Sequence, residues 1–352
     1  MRILALGPLP PELGGTTVLF KDFCRKIRNH TDELVVIDIN DRSSNKAKKV
    51  FNAFKLFFIF LYKLFQCDVI TLHASTKKFV IYGAFLRLVS LITGKPVILR
   101  AFGGSLDLFY NRSGKLNKFI FKLAVSNTLI LIETKYLINF ISEKHNGLNI
   151  DWLPNSRSIT KSVDEEKVRN NKFIFVGHVN EAKGIRTIID AFKNNWLENH
   201  DVQVDIVGPI TQSFPQEWLN NIPGLNYLGE KSPEEIQHLL GSYRCLILPT
   251  KYSGEGYPGV ILEAYAQGTP VITTDWRSVP EIVVNNLTGI IVKPDNPLEL
   301  YKAMHYIRFE DRVWIRMSRN ARRYSKCFDS DKWHGTKWSD WLNKTLGKDQ
   351  NK

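Results

Sequence analysis

The sequence predicts an α/β protein built from two doubly wound, parallel-sheet domains. Three observations carry this expectation. The chain has 352 residues, more than one ordinary hydrophobic core organises. Short β-rich apolar runs alternate with helical periodicity from end to end. The runs are almost wholly apolar, as strands must be when helices cover both faces of their sheet.

In the first half the apolar runs are Arg2–Leu6, Leu34–Ile39, Asp68–His73, Pro96–Phe102, Thr128–Glu133 and Ile150–Leu153. Helical patterns fall between them, near 16–29, 46–66, 78–93, 115–125 and 135–145. In the second half the runs are Lys172–Val176, Val202–Val207, Leu225–Leu228, Cys245–Leu248, Pro270–Thr274 and Gly289–Val292. Helices are expected near 184–195, 233–241, 259–267, 296–308 and 311–325. The polar stretch Arg157–Asn171 has no apolar period and reads as a linker. The expected domains are therefore 1–155 and 156–330, followed by a last helix within 331–352. Trp338, Trp341, Leu342 and Leu346 share one face of that helix, which suits packing back on the first domain.

Composition excludes several classes. The longest strictly apolar run is seven residues, Leu56–Tyr62, against the roughly 20 that a membrane-spanning helix needs. The N-terminal apolar stretch is broken at once by Gly7 and Pro8, unlike a signal peptide, so a cytoplasmic protein is expected. Cys24, Cys67, Cys245 and Cys327 are too scattered for a CxxC site. The net charge is +13, and residues 1–155 hold 22 Lys and Arg against 11 Asp and Glu. The first half is thus expected to meet something anionic, such as nucleic acid, a membrane surface or a phosphate-bearing substrate. No RNP, zinc-finger or basic-helix motif supports nucleic acid.

Three segments carry chemistry. After the first strand, Gly14-Gly15 opens a helix, where free backbone N–H groups and the helix dipole favour an anion. The spacing is neither GxGxxG nor a P-loop, and a plain tight turn has the same appearance. After the first strand of the second half, a loop presents His178 and Lys183; the lysine is either a phosphate ligand or a solvated loop residue. The densest segment is Gly254-Glu255-Gly256-Tyr257-Pro258-Gly259, leading into a helix that carries Glu263. Its two carboxylates can reach sugar hydroxyls while Gly256 and Gly259 expose amides. Glu281 follows in Val279-Pro280-Glu281-Ile282.

The Glu255-x7-Glu263 segment, with Glu263-Ala264-Tyr265-Ala266-Gln267-Gly268-Thr269-Pro270 after it, resembles the signature of retaining family-four glycosyltransferases of the GT-B fold. Val176-Gly177-His178 through Lys183-Gly184, Leu153-Pro154-Asn155 and Gly14-Gly15 resemble other marks of that family. The resemblance implies two Rossmann-like domains facing a cleft that holds a nucleoside-diphosphate sugar. It implies that Glu263 binds the ribose and Glu255 the donor sugar, with Gly256, Tyr257 and Pro258 beside that sugar. It implies that Lys183 and the Gly14-Gly15 amides hold the diphosphate, with His178 where the family often has Arg. The mechanism so implied needs no metal or other cofactor, and Asp329-Ser330-Asp331 is read as a chance DxD. The acceptor implied is a lipid-linked glycan of a surface polysaccharide, used at the inner face of the membrane. A nucleotide-sugar 2-epimerase shares the architecture and is the alternative.

Two further expectations concern the first domain. Phe102 stands where the family usually has a histidine toward the donor's 6-hydroxyl, which implies a 6-deoxy sugar; His73 ends a neighbouring strand and is expected near the pocket. The helix at 46–66 puts Lys48, Lys55 and Lys63 on one face and Phe51, Phe54, Phe57, Phe58, Leu61 and Phe65 on the other arc. Either the aromatics pack on the sheet and the lysines are solvated, or the helix rests on an anionic leaflet.

Overall fold

The computed structural model describes residues 1–10, 14–40, 42–43, 45–159, 169–193, 202–211, 214–219 and 222–347. The apolar runs of the first half form parallel strands β1 (Arg2–Gly7), β2 (Glu33–Asp38), β3 (Val69–Ser75), β4 (Val97–Phe102), β5 (Leu129–Ile132) and β6 (Asn149–Trp152). Their order is β2-β1-β3-β4-β5-β6. The crossovers are α1 (Gly15–Ile27), α2 (Lys46–Leu64), α3 (Thr76–Thr93), α4 (Leu106–Arg112), α5 (Lys115–Val125) and α6 (Lys135–Lys144). Alternate residues of β1 serve opposite layers, as a strand's period of two requires. Leu4 and Leu6 join the core under α2, α3, α5 and α6, while Ile3 and Ala5 join the core under α1.

The second half repeats the plan with β7 (Phe173–Val176), β8 (Val204–Val207), β9 (Leu225–Tyr227), β10 (Cys245–Leu248), β11 (Val271–Thr274) and β12 (Gly289–Val292). Their order is β12-β11-β10-β7-β8-β9, again all parallel. Helices α7 (Ile185–Lys193), α8 (Pro233–Ser242), α9 (Gly259–Ala266), α10 (Pro297–Phe309) and α11 (Asp311–Ser325) cover this sheet. Ser232 and Glu235 cap α8 reciprocally, with Pro233 in its first turn. The polar linker expected at 157–171 lies mostly outside the described residues, as do positions 194–195 of the helix expected near 184–195.

The chain divides into two units, Met1–Ser156 with the segment from Ser330, and Arg157–Asp329. The returning segment forms a π-helical turn, Lys332–Lys337, and then α12 (Trp338–Thr345). Trp338, Trp341 and Leu342 are buried against Phe23 and its neighbours on α1, and Trp341 donates from Nε1 to Asp151 at 2.7 Å.

Two elements differ from the sequence expectation. Helix α4 was not expected: at seven residues it is too short to show a period, and it follows Gly103-Gly104. Helix α2 meets its sheet by another face than the one assigned to the aromatics. Leu56, Phe60 and Leu64, spaced four apart, turn inward, while Phe51, Phe54, Phe57, Phe58 and Phe65 are exposed. The packing alternative for those five side chains is therefore incorrect.

Candidate functional site

The second sheet has a switch point between β7 and β10, where the chain order reverses. In open α/β sheets ligands bind outside the strand ends at such a point. The loops after β7 and β10 meet there, joined by a bond from the Lys251 amide to the Ala182 carbonyl, 2.8 Å. The first loop turns through a 3₁₀ segment, Glu181–Lys183, capped by the Asn180 side chain and closed by Gly184. Gly184 has φ +84°, and a Cβ there would lie 2.0 Å from the Pro249 carbonyl oxygen, so glycine alone lets the two loops approach.

This approach brings Lys183 to Glu255. The ammonium donates to both carboxylate oxygens, at 3.0 and 2.7 Å, and Thr250 donates to Oε2 at 2.7 Å. Glu255 is 6% exposed. Lys183 also lies over the Tyr252 ring, 5.1 Å from its centroid. A cation held this way is pre-aimed, because its partners restrict the long side chain before any ligand arrives.

The second carboxylate is held separately. Glu263, on α9, accepts from Arg157 Nε at 2.7 Å. Arg157 reaches it by crossing the first turn of α9, and a Cβ on Gly259 would meet its guanidinium at 1.7 Å. Sequence reasoning missed Arg157, assigning it to the linker; it lies 106 positions before its partner, and no local pattern marks it. Gly256, Tyr257 and Pro258 form a buried bend before α9. Its geometry is fixed by Ser278, which donates to the Gly256 carbonyl at 3.1 Å, and by the Tyr257 hydroxyl, which donates to Glu281 at 2.5 Å. The α9 amides after Pro258 have no side-chain cap. His178 is exposed on the β7 loop. Lys183, Glu255, Glu263 and the 256–258 bend thus share the carboxyl edge of one sheet.

In the first unit, Gly14 and Gly15 begin α1 as exposed residues, with nothing within 4 Å of a Cβ built on either. The expectation for His73 and Phe102 is corrected. Both lie in the core around α1 and α12 rather than at a pocket, at 0% and 2% exposure. His73 shares a hydrogen bond with Thr71 Oγ1 at 3.0 Å and packs on Phe23, centroids 4.1 Å apart. Burial, with Arg100 and His334 nearby, pushes its pKa well below the ordinary value. Phe102 lies beneath the Arg100 guanidinium, 5.0 Å away. Neither side chain presents a surface to a sugar, so Phe102 does not select for a 6-deoxy donor. In the DxD-like stretch, Asp331 is ion-paired with Lys26.

Residues 156–324 match the family described as Glycosyl transferases group 1. An uncharacterised glycosyltransferase of Methanocaldococcus jannaschii is 23% identical over 94% of this chain and 95% of its own. The D-rhamnosyltransferase WbpZ of Pseudomonas aeruginosa is 26% identical over 52% of this chain and 48% of its own. Among solved structures, Anabaena HepE in complex with UDP superposes with a TM-score of 0.74 at 16% identity, covering 98% of this chain and all of that one. The fold is GT-B, with its two α/β domains each built on a six-stranded parallel sheet.

Proposed function

We propose that this chain, of which residues 156–324 match the group 1 glycosyl transferases, transfers a sugar, with retention, from a nucleoside diphosphate to a hydroxyl of a lipid-linked glycan. The observation that carries the donor half is the Lys183–Glu255 pair at the β7/β10 switch point, with Glu263 one helix turn further on. A diphosphate reaching this edge competes with Glu255 for the Lys183 ammonium. Lys183 then holds phosphate oxygens, and Glu255 is left to accept from sugar hydroxyls. Glu263, aimed by Arg157, accepts from the ribose. As the glycosidic bond breaks, negative charge grows on the diphosphate. Lys183 and the α9 amides meet that charge without reorganising, which is what accelerates the step. In this reading the acceptor attacks on the leaving-group face, and the departing phosphate takes the acceptor's proton. No metal ion is needed in this reading. The nucleotide of HepE and the rhamnosyl transfer in WbpZ's name are consistent with a nucleoside-diphosphate donor.

A lipid-linked acceptor and a peripheral place on the inner face of the cell membrane are supported by the first unit. Helices α2, α3 and α5 together carry eleven Lys and Arg and no Asp or Glu. Val50, Phe51, Phe54 and Phe58 stand exposed among these cations on α2. No helix among the described residues is long and apolar enough to cross a membrane. Exposed aromatics interleaved with lysines suit the interfacial layer of an anionic leaflet, where each cation contributes about 1 kcal/mol. The reading is tested by supplying a panel of nucleoside-diphosphate sugars with and without a polyprenyl-diphosphate glycan. Free nucleoside diphosphate should form only when acceptor is present, and the product should keep the donor's anomeric configuration. Release without acceptor, with an epimerised sugar, would favour the epimerase instead.

A further inference from the structure

Between α2 and α3 lies a cavity of about 580 Å³ that the donor chemistry does not use. Its floor is Leu6, Ile39, Phe60 and Leu86, all buried. The space is open to the surface along α2, and its size falls in the range of ligand sites, about 300–1,000 Å³. At the floor, Leu6, Ile39, Phe60 and Leu86 offer water no side-chain hydrogen-bond partner, so that part of the groove favours an apolar occupant.

The rim has the opposite character. Lys49 and Lys55 stand on it, exposed and without an acidic partner among the described residues. The one acid in the lining, Asp38, is already engaged, accepting from the Leu9 and Asn40 amides and from Arg42 at 3.1, 2.9 and 2.8 Å. Asn40, beside it, accepts from Lys78 at 3.1 Å. The rim also includes Phe57 of α2 and Ile81 of α3, both part of the exposed apolar surface of those helices. An apolar floor beneath a cationic rim fits an amphiphile with an anionic head.

We propose that this cavity binds the hydrocarbon chain of an anionic lipid, with Lys49 and Lys55 on its phosphate. The proposal deepens the lipid-linked acceptor reading above and rests on it for its biological sense. The cations argue against a second copy of this chain as occupant, since two such rims repel. The floor argues against nucleic acid, which has no chain to fill it. A lipid also needs no path through water: the rim belongs to the same α2 surface whose aromatics suit the bilayer interface, so a chain can pass directly from one apolar medium to the other.

The test uses dodecyl phosphate below its micelle concentration, titrated calorimetrically into the full chain. Wild type should bind it. Ala53→Trp and Ile81→Trp, which fill the rim from α2 and from α3 at exposed positions, should each weaken binding at least tenfold. Both variants should still co-sediment with anionic vesicles, because Phe51, Phe54 and Phe58 are untouched. No binding by wild type, or equal binding by both tryptophan variants, would overturn the proposal. Displacement by inorganic phosphate alone would also overturn it, reassigning the rim to a free anion. If dodecyl phosphate binds as expected but no lipid-linked glycan is ever glycosylated, the acceptor reading fails while the chain site stands.

Discussion

Lys183 sits in the loop after β7 and Glu263 on α9, and their substitutions separate chemistry from binding. Lys183→Ala leaves growing phosphate charge under-stabilised, so kcat should fall about 10²- to 10³-fold, as when one oxyanion donor is removed. Glu263→Ala removes ribose contacts made equally in ground and transition states, so the donor KM should rise with kcat nearly unchanged. Steady-state kinetics with the best donor separates these patterns; a fall in kcat alone for Glu263→Ala would remove it from the ribose role. Arg157 was illegible in the sequence because its importance comes from folding, which brings a polar linker residue across the start of α9. The segments that carry the two glutamates and Lys183 were legible because glycine and proline mark their turns locally, whereas the bond from Lys183 to Glu255, 72 positions away, was not. Buried His73 and His334 give a prediction about stability. Burial, then Arg100, holds both pKa values well below the ordinary one in the folded chain. The unfolded chain therefore binds protons that the folded chain refuses. Stability is full above about pH 6.5 and is lost as pH falls below it, by up to about 1.4 kcal/mol per pH unit for each histidine. Denaturation midpoints at pH 7.5 and 5.5 should differ, and His73→Asn should flatten the difference; identical slopes in wild type and variant would refute this account.

Among the elements, α9 and α2 show how far periodicity reaches. Gly259→Ala puts a methyl where the Arg157 guanidinium now passes. The end of a flexible side chain can yield, so the fold should survive while the Arg157–Glu263 bond breaks. The donor KM should rise by roughly tenfold, the worth of one charge-assisted hydrogen bond. Calorimetric donor titration of the variant checks this, and unchanged affinity would show that Arg157 does not aim Glu263. The twelve strands among the described residues were readable: the central ones are continuously apolar, as strands covered on both faces must be, while the edge strands β6 and β9 admit polar residues and were read from their place in the alternation. Helix α4 was not, having too few residues for a period. For α2 the helix itself was legible and its orientation was not. A helix with aromatics on most of its surface does not reveal which stripe meets the sheet, and only the packing of Leu56, Phe60 and Leu64 settles that. The exposed stripe leads to a measurement: Phe51→Asp with Phe54→Asp should abolish co-sedimentation with anionic vesicles. Lys48→Glu with Lys55→Glu should weaken it most at low salt, where charge attraction is least screened. Donor affinity should be unaffected in both, and vesicle binding that survives the aspartates would assign the attachment to another surface.

The whole molecule is governed by the segment that leaves the second unit at Asp329 and returns to the first. Trp338 is fully buried there, edge-on to Phe23 at 4.6 Å between centroids. Trp338→Ala should cost about 3–5 kcal/mol, the usual range for deleting a large buried aromatic. Two-phase denaturation followed by hydrogen exchange should show the loss in strands β1–β6 and not in β7–β12; uniform loss across both sheets would contradict it. The same connectivity sets an order for biosynthesis. Residues 157–329 contain every strand and helix of their own unit and can close once they have emerged from the ribosome. The first unit, though translated earlier, lacks its tryptophan lid until α12 has been made, some 180 residues after β6. Until then the layer around Phe20 and Phe23 on α1 is uncovered. The half of the protein synthesised first is thus the half completed last, and a nascent chain interrupted before Trp338 presents an open apolar surface to chaperones and proteases for as long as it remains unfinished.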